Sequence, residues 1–579
     1  MKNFKYLIVV VTIALTACSE DFVSRTNKDN MDQAFFNGGE NDAKKMVNAA
    51  YAPLQKNGLY CRTASQLPQL RSDESRITKN TPKMEEDGVA AGTYTQNSNS
   101  KLAEMIWRQA YNGVFQANVA IDNISANTIL PENKKAQFLG EAYFLRAFYY
   151  LHLTMYFGDL IAEQTSSGVS EPAPFATETA VWDLMVSDLK KSQEYFGKIG
   201  FTNVQSTGDD LGRANLGAAT GLLGKVYLYY AQMKKNNSTE MINLAKAEFK
   251  KIVSQSVGNY GLMDNYMDNY KNSTEYNRES IFEIGFLDYG SKVWEVDQDN
   301  DGAAETNKLA KNSTMCDAVG EMWWNEAPTT RIKNEYERTN GVLDYRSYYT
   351  LWQPNGAYFD DCKLLGGAVK DTVITYEGAF KDSSNTSTEW GKQYNDYKFY
   401  GWRKYGFDYN FWVKDGIDKT NKVGSDINYR YMRYADVLLM LAECEFYTGG
   451  DPKAYLNQVR ERANKVVADS NQLTWGNNKL PYLSRTGSLP TVENSKYAGN
   501  MEAAIQHERM IELACEASRY FDIIRWNKAD LLIDLRKAGF PKANIKEIIV
   551  DPGFTGNFLL PIPQEELNRN TKIKPNSSN

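Results

Sequence analysis

With 579 residues and a net charge of −6, the chain is long enough for a large core or several domains, and it has no clustered basic surface of the kind that nucleic acid requires. Histidine occurs only at His152 and His507, which argues against histidine-based metal sites and nucleophilic triads. Tyrosine (37) and tryptophan (11) are abundant, and such residues suit ligand-contacting surfaces as well as cores.

Residues 1–17 read as a lipoprotein signal peptide. Lys2 and Lys5 give a charged start, and Tyr6–Ala17 is an apolar run too short to span a bilayer. It ends in Leu15-Thr16-Ala17-Cys18, an arrangement like a bacterial lipoprotein signal, in which the cysteine becomes the first residue and carries the lipid. The plainer alternative is an ordinary signal peptide followed by a chance cysteine. One acyl chain anchors only marginally, so firm attachment requires a multiply acylated Cys18. Ser19-Glu20-Asp21 then forms an acidic tract resembling the surface-export signal of some Gram-negative lipoproteins.

The other cysteines, Cys61, Cys316, Cys362, Cys444 and Cys515, are too sparse for a disulfide framework. Cys444 and Cys515 fall in helical patterns and read as packing residues; a Cys316–Cys362 bridge is left open.

Residues 18–38 read as a lipidated tether and 39–260 as an N-terminal helical region. Asp42–Gln55 is a predicted helix, and Leu67–Ser100 is expected to be mostly loop, carrying Arg71, Asp73, Glu74, Arg76, Tyr94 and Asn97. Helical periodicity returns in Ala103–Ile124, Asn133–Phe157, Thr179–Phe196, Asn215–Gln232 and Thr239–Ser254. Leu139-Gly140-Glu141-Ala142 through Leu145, Ala147 and Tyr150 matches Leu216-Gly217-Ala218-Ala219 through Leu222, Gly224 and Tyr227. Small residues at these steps allow close helix contact, a weak sign of tetratricopeptide-like stacking.

Residues 261–425 change character: rich in Gly, Asn, Asp, Tyr and Trp, without a long helical period, and with short β-like runs such as Ile281–Phe286. They read as an irregular insertion, and loops carried on a rigid scaffold are where binding residues concentrate. Residues 426–579 form a C-terminal helical region and tail, expected to pack with the N-terminal helices as one domain.

The region opens on an αα-hairpin, Ile427–Ala463. Tyr434, Val437, Leu438, Leu441 and Ala442 make one buried stripe, and Thr448-Gly449-Gly450-Asp451-Pro452 supplies a left-handed C-cap and an N-cap before proline. In its second helix Ala454, Leu456, Val459 and Ala463 point inward, with Arg460, Glu461 and Arg462 largely outward. Met501–Cys515 and Phe521–Lys537 form a last helical pair before Leu559-Leu560-Pro561-Ile562-Pro563. The expected fold is mainly α: a tetratricopeptide-like helical-hairpin scaffold with a large loop-rich insertion containing short β segments.

Arg433-Tyr434-Ala435-Asp436-Val437-Leu438-Leu439-Met440 with Ala442-Glu443, followed by Leu456-Asn457, Val459-Arg460 and Arg462-Ala463, resembles the signature of the SusD/RagB lipoproteins. The run Glu508-Arg509 to Arg525-Trp526, the Pro561-Ile562-Pro563 tail and the helix of Trp107, Tyr111 and Asn118 agree with it, so the resemblance covers essentially the whole chain. It implies a non-catalytic outer-membrane binding lipoprotein facing the cell exterior. Such a protein sits as a lid on a SusC-like TonB-dependent transporter and captures glycans or peptides for import. The ending Asn570–Asn579 lacks the aromatic residue expected of the family.

Glu508, Glu512 and Glu516 share a helix face among Arg509, Arg519 and Arg525. They could form a glycoside-hydrolysing acid/base pair, but as part of the scaffold signature they read as ion pairs tying helices together. Arg433, Asp436, Glu443 and Arg460 read likewise. His507-Glu508 starts like a zinc-protease motif, yet Ile511 stands where the second histidine is required. Asp297, Asp299, Asp301 and Gly302 have the oxygen spacing of a calcium loop, although Lys308 replaces its bidentate glutamate; structural calcium is the one cofactor entertained, and none is required.

Sugar rings pack on Trp and Tyr while Asn and Arg bond their hydroxyls. Trp107 and Trp526 fall in helical signatures and read as core. The resemblance implies a ligand site built from loops of the early and inserted regions, which nominates Tyr94, Trp294, Trp323, Trp324 and Trp352, with Arg76, Asn97 and Asn325 as polar partners. A surface glycoside hydrolase would need paired carboxylates outside the scaffold motifs, and a purely protein-binding solenoid would need no aromatic platform. Glycan is favoured over peptide as ligand.

Overall fold

The computed structural model describes residues 38–77, 86–166, 173–177, 179–234, 238–286, 326–336, 338–339, 342–344, 346–352, 401–402, 404–405, 427–464, 474–475, 478–479, 489–532 and 558–576. Helix α1 (Glu40–Tyr51) runs into a 3-10 turn, Ala52–Gln55, and α2 (Thr63–Leu70) leads to strand β1 (Ser75–Ile77). Then come α3 (Glu86–Thr93), α4 (Lys101–Ala126), α5 (Glu132–Phe157), α6 (Ala180–Ile199), α7 (Leu216–Lys234) and α8 (Ser238–Val253). Within the insertion lie β2 (Ser280–Ile284), β3 (Glu326–Pro328), α9 (Thr330–Glu335), β4 (Arg338–Thr339), β5 (Val342–Leu343), α10 (Arg346–Thr350), β6 (Leu351–Trp352) and β7 (Gly401–Trp402). The C-terminal region holds β8 (Tyr429–Arg433), α11 (Tyr434–Tyr447), α12 (Lys453–Asn464), β9 (Thr474–Trp475), β10 (Asn478–Lys479), α13 (Met501–Glu512), α14 (Arg519–Arg525) and α15 (Gln564–Arg569).

The helical frame is mainly α, as the periodicity predicts. Helix α1 lies on α4, and α4 to α8 pack each on the next, after which α8 packs on α11 of the C-terminal hairpin. One apolar core runs from Ala50 and Leu59 through Phe148, Leu222 and Leu438 to Ile562, so both helical regions share it. Helix α5 is buried on every side from Ala136 to Phe157, as an all-round apolar helix must be. Its charged residues there are paired: Arg146 holds Asp188 with two bonds of 2.7 Å, and Glu141 meets Arg213 at 2.7 Å. Trp107 is buried, as expected.

The recurring glycines are contact points. A Cβ on Gly140 would stand 2.7 Å from the Phe196 ring and one on Gly224 2.6 Å from Phe249, while one on Gly217 would collide with Tyr260. The hairpin turn also follows its sequence. Gly449 takes φ +74°, and the Asp451 carboxylate accepts from Lys453 N at 3.0 Å.

Two expectations are corrected. Leu67–Ser100 is not mostly loop, since it contains the end of α2, then β1 and α3; Pro68 lies inside α2, where it masks the helical pattern. In α12, Arg460 and Arg462 point inward and are each 2% exposed. Ion pairing, which hydrophobic periodicity does not register, buries them.

Among the described residues the strands make five antiparallel pairs: β1–β3, β2–β8, β4–β5, β6–β7 and β9–β10. No helix of these residues is long and apolar enough to cross a membrane.

Candidate ligand-binding site

Beneath the irregular region lies a buried charged cluster. Arg346, Lys404, Arg433, Arg460 and Arg462 face Asp344, Glu279, Glu508, Glu512 and Glu516, five cations for five carboxylates. Arg433 reaches Glu512 at 2.6 Å, Glu279 at 2.8 Å and Glu516 at 2.9 Å; Arg346 reaches Glu508 at 2.6 Å and Glu512 at 2.8 Å. Burial alone would raise the Glu512 carboxyl, but Arg462, Arg433 and Arg346 hold it well below the ordinary range. These carboxylates are committed to guanidinium partners, which removes the acid/base reading of Glu508, Glu512 and Glu516. Asp436 and Glu443 are scaffold charges too: Arg509 holds Asp436 at 2.9 Å, and Arg525 holds Glu443 at 2.6 Å. Trp526 is half-buried and donates from its indole N–H to Glu443 at 2.7 Å.

The cluster clamps the insertion. Arg346 starts α10, which leads straight into β6, and Lys404 follows β7, so both strands of the β6–β7 pair are tied to α13 and its continuation. β7 in turn lies against β3, and the indole N–H of buried Trp402 donates to Ser75 Oγ of β1 at 3.4 Å. In the β1–β3 pair, Ser75, Arg76 and Ile77 stand opposite Pro328, Ala327 and Glu326.

Four segments therefore converge: β1 from the early region, with β3, β6 and β7 from the insertion. Of the nominated residues, Arg76 belongs to β1 and Trp352 to β6, where its register partner is Gly401. Asn97 is exposed; its side-chain oxygen accepts from Asn99 N at 2.9 Å in the turn that opens α4. Trp294, Trp323, Trp324 and Asn325 lie outside the described residues, as do Cys18, Cys316, Cys362 and the calcium-loop residues Asp297, Asp299 and Asp301.

Tyr94 requires a correction, because it belongs to the core. Only 5% exposed, it has φ +60°, its hydroxyl donates to the Arg71 carbonyl, and the Arg71 guanidinium lies 4.4 Å from its ring centroid. That ring is spent on packing.

The base of β1 is a second charged site. Asp73 is buried, with Arg519 of α14 on its two oxygens at 2.8 and 2.9 Å and Arg331 of α9 at 3.0 Å. Burial opposes ionisation there, yet Arg519 and then Arg331 hold the carboxyl below its ordinary value. Thr329 completes the clamp: its hydroxyl donates to the Asp73 carbonyl and its N–H to the Glu74 carbonyl, both at 2.7 Å. Adjacent Glu74 is different. One of its oxygens accepts from Cys515 N at 3.3 Å, the other has no hydrogen-bond partner among the described residues, and burial with the charge of Asp73 pushes the group up to about 8.

The SusD family pattern matches residues 228–578, and a pattern described as starch-binding associating with outer membrane matches residues 25–228. The chain belongs to the SusD family. SusD-like protein P25 of Formosa agariphila is 26% identical over 599 aligned positions, covering 97% of this chain and 96% of that protein. A SusD homologue from Bacteroides thetaiotaomicron superposes with a TM-score of 0.68 at 18% identity, over 95% of this chain and 99% of that one. Surface glycan-binding protein A of the same organism, solved with laminarihexaose, gives 0.65 at 19% identity, over 93% and 99%. At these identities the structural likeness speaks for the fold.

In this SusD-family chain the sequence reading passed over Arg331 and treated Asp73 and Glu74 as ordinary loop residues. The signal was the run Arg71-Ser72-Asp73-Glu74, unusually charged for a segment that turns out to be buried.

Proposed function

We propose that the protein is a non-catalytic glycan receptor, tethered through a lipidated Cys18 to the outer membrane and facing the cell exterior. It binds an oligo- or polysaccharide and passes it to a SusC-like TonB-dependent transporter for import. The observation carrying this reading is the convergence of β1 with β3, β6 and β7 on a SusD frame, which joins the two regions richest in candidate contacts. The laminarihexaose complex of a structural neighbour supports the choice of glycan over peptide. Trp294, Trp323, Trp324 and Trp352 supply the stacking faces, and Arg76, Asn97 and Asn325 the polar contacts. No cofactor is required for binding; Asp297, Asp299 and Asp301 are the candidate ligands of an optional structural calcium, and titration of chelator-treated protein without heat excludes it.

The test is titration of the purified chain with a glycan and peptide panel. Trp323→Ala or Trp324→Ala is expected to weaken binding at least tenfold, about 1.4 kcal/mol, with unchanged thermal unfolding. Unchanged affinity in both variants moves the site elsewhere, and peptide binding without glycan binding replaces the ligand class. Failure to co-purify with the transporter from outer membranes overturns delivery.

A further inference from the structure

We propose that Arg331 is a ligand-contacting residue, and that the ligand group it meets is anionic, a carboxylate or a sulfate ester. The inference rests on the glycan-receptor reading and narrows it to acidic glycans.

The argument begins with charge. Asp73 faces two guanidinium groups, and Arg519 already occupies both of its oxygens. Arg331 lies beside the same carboxylate, its Nε 3.0 Å from Oδ2, but none of its N–H groups donates a hydrogen bond to a described residue. The next acid, Glu74, is held neutral by burial and by Asp73, so it does not balance the second cation. Among the described residues one positive charge is left over at the base of β1. Exposure says which: the Arg519 side chain is 7% exposed and the Arg331 side chain 35%.

The second part is placement. Arg331 follows β3 by three residues, and Thr329 between them is fastened to β1 at two points. The guanidinium is thus held next to the strand pair where the candidate ligand segments meet. A free surface arginine must lose its side-chain freedom on binding, whereas one steadied by a buried acid has lost part of it beforehand. A planar fork whose donors are unspent among the described residues matches the paired oxygens of a carboxylate or sulfate, while a neutral sugar hydroxyl needs no such charge.

The experiment titrates the full chain with neutral laminarin oligosaccharides, oligogalacturonate for the carboxylate and sulfated galactan oligosaccharides for the sulfate. Wild type, Arg331→Gln and Arg331→Lys are compared. The expected result is wild-type binding of one acidic probe, weakening as salt rises. Arg331→Gln should bind that probe at least tenfold more weakly and Arg331→Lys, which keeps charge but loses the fork, several-fold more weakly, with the melting temperature unchanged. Equal affinity of Arg331→Gln and wild type for every bound probe overturns the inference. Binding of the neutral probe alone overturns it too, but leaves the glycan-receptor reading standing. If wild type binds no glycan at all, both fail.

Discussion

In the stack from α4 to α8, side chains are held by shape. Tyr149 lies over Gly113, Phe196 over Gly140 and Phe249 over Gly224, and the few buried charges come as separate pairs such as Arg146 with Asp188. Around β1, β3, β6 and β7 the strands are two or three residues long and too short to hold themselves, so position comes from charge. Arg346, Lys404 and Asp73 fasten these strands to the C-terminal helices, and Thr329 fastens β3 to the residues that open β1. The contrast separates two ways of holding position in one chain: apolar packing fixes the helices, and buried ion pairs hold the irregular segments at defined places.

Three changes would break or sharpen this contrast. The largest effect is expected from Arg433→Met, which removes the cation that Glu279, Glu512 and Glu516 all share and leaves four cations for five buried carboxylates. Breaking a buried pair from one side costs about 3–5 kcal/mol, so urea denaturation should show a large loss or no folded protein. Little change would mean that the charged cluster is not what holds the insertion.

Glu74→Gln comes next and is read against pH. The native group titrates near 8, above its ordinary 4.5, so its neutral form contributes stability in full below about 4.5 and loses it as pH rises through 8. Wild type should therefore melt progressively lower between pH 5 and 9, and Glu74→Gln should flatten that slope and melt higher than wild type at pH 9. Identical slopes would place the carboxyl in a wetter setting. The smallest of the three is Gly113→Ala. Its methyl would fall into the Tyr149 ring, which a bond of 2.6 Å from the hydroxyl to the Ala50 carbonyl pins in place. Overpacking of this kind costs about 1–3 kcal/mol, and calorimetry should show a lower melting temperature with ligand affinity unchanged.

The frame was legible because helices announce themselves by period. The predicted Ala103–Ile124 and Asn133–Phe157 differ from α4 and α5 only at their ends, and the hairpin turn at Gly449–Asp451 is written in its residues. Charges were legible where a motif repeated them, as with Arg433, Asp436, Glu443 and the pairing of Arg460, and misleading where polarity stood in for exposure, as with the outward placing of Arg460 and Arg462. The site was less legible. Strand pairs such as β1–β3 join residues about 250 positions apart through two or three hydrogen-bonded positions, which leaves no local pattern. Tyr94 was misjudged because a tyrosine in a polar stretch looks available, whereas the Arg71 carbonyl and guanidinium claim it.

The central claim is that a rigid, non-catalytic SusD frame carries glycan recognition in its irregular segments. It is tested most directly by titrating the glycan panel into wild type and the Trp323→Ala/Trp324→Ala double variant, with melting curves and chain-length analysis of the recovered glycan. The account predicts wild-type binding, a glycan recovered at its original length, and at least tenfold weaker binding by a variant that melts like wild type. Equal affinity in the double variant, or recovery of shortened glycan, would contradict it.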